Sequence, residues 1–172
     1  MSSTSHHHGS SAAPNQASAE AIALLNEARA MQLAARLGQP AELLRGKQLG
    51  LLRATGRRDE TAVFLRAARA LGARVAILQH GLCARTPAVE VRETARVLGR
   101  LYDVLECQGL GRRLVRRIEQ AAGVPVFNGL GLPNHPSAVW LDRLPGPEAD
   151  AEKRCFLVQA RLLRELAGRG SR

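Results

Sequence analysis

Arg74-Val-Ala-Ile-Leu78, then the stretch Val89 to Leu101, then Asp103-Val-Leu-Glu-Cys107, reads as strand, helix, strand. The two outer runs are short, apolar and β-branched. The middle stretch repeats its apolar residues, Val91, Ala95, Leu98 and Leu101, at helical spacing. A strand that returns through a helix to another apolar strand builds a right-handed crossover in a parallel sheet.

The same alternation extends both ways. Upstream, Ser18 is a predicted N-cap for a helix carrying Ile22, Leu25, Ala28, Leu33 and Leu37, ended by Gly38 and Pro40. Lys47-Gln-Leu-Gly-Leu-Leu52 reads as a buried strand. Asp59 is the expected cap of a helix bearing Val63, Phe64, Ala67 and Leu71, closed by Gly72. Downstream, Gly109 and Gly111 mark a turn rather than a dinucleotide fingerprint. Residues 112 to 122 form a basic helix with Leu114, Val115 and Ile118 inward, and Val124-Pro-Val-Phe127 is the fourth strand. A short helix over His135–Leu144 follows, then Pro145-Gly146-Pro147. A last helix from about Glu148 to Leu166 carries Phe156, Leu157, Ala160, Leu163 and Leu166.

The expected fold is therefore α/β: a three-layer, four-stranded parallel sheet with helices on both faces and a C-terminal helix packed back on the domain. Residues 1–17 read as a disordered leader, 18–144 as the α/β domain and 145–172 as linker and C-terminal helix. His6, His7 and His8 could hold a metal only weakly and stay outside the fold.

Composition narrows the classes. The 172 residues are 45% hydrophobic and 3% aromatic, and 25 Lys+Arg against 15 Asp+Glu give a formal charge of +10. No apolar run approaches the ~20 residues that span a bilayer, and no signal peptide is visible, so the expected compartment is cytoplasmic. Cys83, Cys107 and Cys155 have neither metal-ligand spacing nor a histidine cluster, so reduced, mostly buried thiols are expected, with no metal and no cofactor. Arg96, Arg100, Arg112, Arg113, Arg116 and Arg117 could attract polyanions. With few aromatics to stack on bases, a solvated helix face is the better reading and nucleic acid is not expected as a partner.

Ligands of an open parallel sheet gather beyond the carboxyl ends of its strands. Here that edge holds the loops 53–59, 79–88, 107–112 and 128–136. The first offers Thr55, Gly56, Arg57 and Arg58, but Asp59 and Glu60 place two carboxylates in the first helical turn, where they would repel a phosphate. His135, after the fourth strand, could donate a hydrogen bond to a carbonyl.

Residues 18 to 144 resemble the carbamoyl-phosphate-binding N-terminal domain of ornithine carbamoyltransferases, within the ornithine/aspartate carbamoyltransferase family. The resemblance rests on Glu93-Thr-Ala-Arg-Val-Leu-Gly-Arg-Leu-Tyr-Asp103, Val124-Pro-Val-Phe-Asn-Gly129, His135-Pro136, Lys47–Leu52 and Phe64–Val75. It implies a carbamoyl phosphate site and a trimer, as a homo-oligomer or with a full-length relative. The positions it assigns to substrate are Arg57, Arg58, Thr61, Gln108 and His135.

The departures fall on ligand positions. Where the family loop reads Ser-Thr-Arg-Thr-Arg, this chain has Arg57-Arg58-Asp59-Glu60-Thr61. The family's arginine after the third strand is Gln108, and the Thr-Gln after its His-Pro pair is Ser137-Ala138. The family's ornithine-holding motifs do not occur, and Pro145–Asp150 alone joins the last two helices. Each lost charge-assisted bond is worth ~1.5–3 kcal/mol. Two of them amount to about a thousand-fold in affinity at ~1.4 kcal/mol per tenfold. The expectation is a non-catalytic homologue, with no catalytic residue, that acts through binding or oligomerisation. The alternative is a residual carbamoyl-phosphate or small-anion-binding transferase component in ornithine and arginine metabolism.

Overall fold

The computed structural model describes residues 13–39, 42–54, 61–79 and 81–167, with side chains from Ala19 onward. Four strands, β1 (Gln48–Arg53), β2 (Arg74–Leu78), β3 (Val104–Gln108) and β4 (Val126–Asn128), form one parallel sheet in the order β2-β1-β3-β4. Five helices accompany them: α1 (Ala13–Arg36), α2 (Ala62–Ala70), α3 (Ala88–Leu101), α4 (Arg112–Ala122) and α5 (Asp150–Ala167). The expected three-layer architecture is the observed one.

The layers follow from alternation along the strands. Leu49, Leu51 and Val104 face α2 and α5 in a core with Phe64, Leu71, Val158 and Leu162. Leu52, Leu105 and Cys107 face α3 and α4 in a second core with Val91, Ala95, Leu114 and Ile118. Strand β3 is buried on both faces, and two of its residues, Glu106 and Gln108, are polar. Asp103 staples the strand starts, accepting from the Gln48 backbone N–H at 2.8 Å and from Lys47 Nζ at 3.2 Å.

Several boundaries differ from the sequence reading. Helix α1 begins at Ala13, so Ser18 lies inside it and not at its cap. Pro14 is compatible with a first helical turn and the alanines around it favour helix, which together extend the element upstream. Its buried stripe is Leu24, Leu25, Ala28 and Gln32, whereas Ile22, Leu33 and Leu37 are exposed, as is Leu101 of α3. The Asp59 cap lies outside the described residues, and the residue at the start of α2 is Thr61. Residues Pro136–Arg143 form a 3-10 helix. Strand β4 starts at Val126, one residue past Pro125, which has no N–H to give a ladder.

Six residues, Leu144–Ala149, connect the 3-10 helix to α5. Gln32 holds this link from α1, donating to Pro145 O at 2.6 Å and to Glu148 Oε2 at 2.8 Å, and Arg36 donates to Glu148 Oε1 at 2.8 Å. Helix α5 then returns into the domain. Phe156, Leu157 and Ala160 pack on Leu24, Leu25 and Ala28 of α1, while Val158 and Leu162 enter the core beneath α2.

Candidate functional site

The sheet order places the reversal of chain direction between β1 and β3, where a parallel sheet opens toward ligands. A cavity of about 320 Å³ lies there, lined by Arg53 and Ala54 after β1, Leu82 and Cys83 after β2, and Gly109–Gly111 after β3. A second, of about 560 Å³, lies between the β3 and β4 ends, lined by Gly109–Arg112, Asn128, Asn134 and His135 among others.

Of the five predicted site residues, Arg57 and Arg58 lie outside the described residues. Thr61 is buried at the start of α2. Gln108 ends β3 and is fully buried. Its side chain shares the α2/α5 face with Val104 and Glu106, away from both cavities, and neither amide atom has a hydrogen-bond partner. His135 is half-buried. Its Nδ1 accepts the Ser137 backbone N–H at 3.2 Å and lies 2.7 Å from the Ser137 hydroxyl. That assignment leaves the proton on Nε2 as a donor. Burial, and next the charge of Arg161, lower its pKa, so the ring is neutral at pH 7. The structure thus keeps His135 at a cavity and removes Gln108 from one.

Sequence reasoning missed Glu106. Two residues before Gln108, it sits in register between Leu51 of β1 and Phe127 of β4 and is fully buried, with no donor in hydrogen-bond geometry to either oxygen. Burial pushes its carboxyl well above the usual range. The Gln108 amide and the backbone of Leu130 and Gly129 oppose the shift only in part. Burial thus favours its neutral, protonated form. The missed signal was the one carboxylate inside a buried strand, two residues before Gln108.

Arg154 was missed too. Its Nε is buried and without a partner. It lies one turn before Val158 on α5, and Val158 meets Gly131, whose neighbourhood includes Val63 and the Phe64 N–H of α2. Helical spacing therefore directs Arg154 toward the first turn of α2. Cys107 and Cys155 are buried as expected, but Cys83 is exposed. The Thr86 hydroxyl, 3.6 Å from its sulfur, is the main cause of a lowered thiol pKa. Among the described residues no group of His, Cys, Asp or Glu could hold a metal ion, and no helix is long and apolar enough to cross a membrane.

Fold and edge together define a parallel α/β domain with cavities at the carboxyl ends of its strands. Residues 12–145, more than three-quarters of the 172, match the model of the aspartate/ornithine carbamoyltransferase carbamoyl-P binding domain, and the chain belongs to that family. The ornithine carbamoyltransferase of Neisseria meningitidis is 42% identical over 78 residues, which are 45% of this chain and 30% of that protein. Among solved structures, the ornithine carbamoyltransferase of Gloeobacter violaceus is 30% identical with a TM-score of 0.53, over 72% of this chain and 39% of that one. Aspartate transcarbamoylase from Trypanosoma cruzi, in complex with N-(phosphonacetyl)-L-aspartic acid, is 25% identical with a TM-score of 0.57, over 73% and 40%. The chain spans less than a third of the length of the curated relatives it matches.

Proposed function

We propose that this chain is a non-catalytic carbamoyltransferase-family domain that acts through binding or self-association. The observation that carries this reading is the chemistry at the end of β3. Gln108 presents no charge there and is turned into the core, on the same strand face as the buried Glu106. A small dianion needs several convergent charged donors, and transfer needs an amine held in line. The six-residue link from the 3-10 helix to α5 leaves no internal space for a second domain to hold one.

Two measurements test this: calorimetric titration with carbamoyl phosphate, and citrulline formation in the presence of ornithine. The expected results are affinity weaker than about 1 mM, or ~4 kcal/mol of binding free energy, and no turnover. Citrulline production by the purified chain overturns the proposal. Gln108→Arg is expected to leave turnover absent, because it supplies no acceptor site.

A second reading is favoured by Arg154. A buried guanidinium nitrogen without a partner near the first turn of α2 supports a residual site for a small phosphorylated anion, shared with Arg57, Arg58, Thr61 and His135. On that reading Arg154→Gln weakens phosphate binding more than tenfold. Unchanged binding removes it.

Self-association has its own support. Strand β2 is an edge whose Ile77 is 44% exposed, and Val89, Val97 and Leu101 of α3 are exposed as well. Unpaired apolar edges invite another chain, and the trimer implied by the family is the assembly we assign to them.

A further inference from the structure

His135 borders another cavity besides that at the strand edge. This other cavity is an open hollow of about 350 Å³ bordered by α1, the end of β4, the 3-10 helix and α5. Ligand pockets of small molecules start at about this size. Its walls are of two kinds. Trp140, Phe127 and Leu24 form an apolar body, while Arg161 and Ser137 join His135 in making a polar part.

The polar part is built to meet an anion. Arg161 stands 6.0 Å over the Phe127 ring and gives Nη2 to Glu165 at 2.8 Å, which fixes its guanidinium and leaves other N–H donors. The neutral His135 ring, anchored through Nδ1 to Ser137, carries its N–H on Nε2. Glu165 offsets part of the arginine charge, and Glu20 also lines the cavity. A doubly charged guest is therefore disfavoured. One carboxylate, on a body that fills the aromatic part, fits both the charge and the shape.

We propose that this cavity between α1, the 3-10 helix and α5 binds a small monocarboxylate with an aromatic or compact apolar body. Its carboxylate lies on Arg161 and its body against Trp140 and Phe127. A cation and a histidine line the same cavity as an aromatic body, and with Glu20 also on the wall that set favours a monocarboxylate over inorganic phosphate. The cavity shares His135, Phe127 and Pro136 with the one between the β3 and β4 ends, while Arg161 and Trp140 line this one alone.

Trp140 is the only tryptophan in the chain, so its fluorescence reports this cavity directly. The probes are benzoate, benzamide of matching shape without charge, and inorganic phosphate. Benzoate is expected to change Trp140 emission saturably with a midpoint below about 10 mM, with benzamide and phosphate at least tenfold weaker. Arg161→Gln is expected to weaken benzoate at least tenfold. Glu20→Gln, which removes a repelling charge from the wall, is expected to strengthen it two- to threefold, a gain that misfolding cannot produce. Circular dichroism checks both variants. Benzamide binding as tightly as benzoate, no saturable change, or benzoate affinity unmoved by both substitutions overturns the proposal. All these variants leave His135 intact, so failure here is distinguishable from failure at the strand edge, which phosphate and carbamoyl phosphate calorimetry reads.

Discussion

Glu106 and His135 pull the pH dependence of this protein in opposite directions. The Glu106 pKa is raised in the folded chain, so the folded state holds a proton that the unfolded state releases. Stability falls as pH rises above 4.5, the ordinary value for such a carboxyl. Glu106→Gln keeps the shape and the neutral form. It is expected to raise the melting temperature at pH 8 and to flatten the decline between pH 5 and 8, as differential scanning calorimetry would show. A lower melting temperature at pH 8 would mean that the carboxylate has a partner. His135 has a lowered folded pKa, so its contribution is present above pH 6.5 and lost on acidification below it. His135→Ala is expected to cost about 1 kcal/mol at pH 7.5 through loss of the bond that caps the 3-10 helix. The cost should shrink at pH 5, a difference that urea titrations at the two pH values would resolve.

Helix pairs hold the layers, and two contacts have predictable costs. A Cβ at Gly99 of α3 would run into the carbonyl oxygen of Ala122 at the end of α4, so only glycine allows this approach. Gly99→Ala is expected to destabilise by about 1–3 kcal/mol through overpacking, against a small gain in helix propensity, and chemical denaturation measures the balance. Phe156 joins α5 to α1 among Leu24, Leu25 and Ala28. Phe156→Ala is expected to cost about 3–5 kcal/mol. Because α5 lies beyond the matched segment 12–145 yet shares its core, such a loss should appear in one cooperative transition with the rest of the domain. A separate early transition would show that α5 is an appendage.

Across the molecule, the unpaired edge and the charge set the expected association. Native mass measurement at low micromolar concentration is expected to give three chains, and Ile77→Lys on the β2 edge to give one. A monomer in both cases removes the self-association half of the proposed function. Seven arginines of α3 and α4 face solvent, and no ion pair to them is found among the described residues. The sequence reading expected a solvated, salt-bridged helix face; the exposure matches it, and the ion pairs are not found among the described residues.

Much of this was legible without coordinates, for identifiable reasons. Short, mostly apolar runs between amphipathic helices admit one layer architecture, so the strands near 48–53, 74–78 and 104–108 and helix α4 fell within a residue or so of their places. Motif order from Lys47 to Pro136 was enough to indicate the family. What failed was orientation. The expected α1 stripe holds at Leu25 and Ala28, but Leu24 and Gln32 are buried where Ile22, Leu33 and Leu37 are exposed, because the position of α5 selects the face. The same holds at the site. Spacing places Gln108 at the ligand edge of β3, but the pleat turns its amide inward beside Glu106, and burial, a property of the whole packed domain, sets the protonation of that acid. The chain's own alternation determined the layers because period and chirality are local. Which polar groups meet, and which are sealed without partners, was decided by tertiary packing, because contacts between residues as far apart as Phe127 and Arg161 exist only once the sheet and α5 have closed on each other.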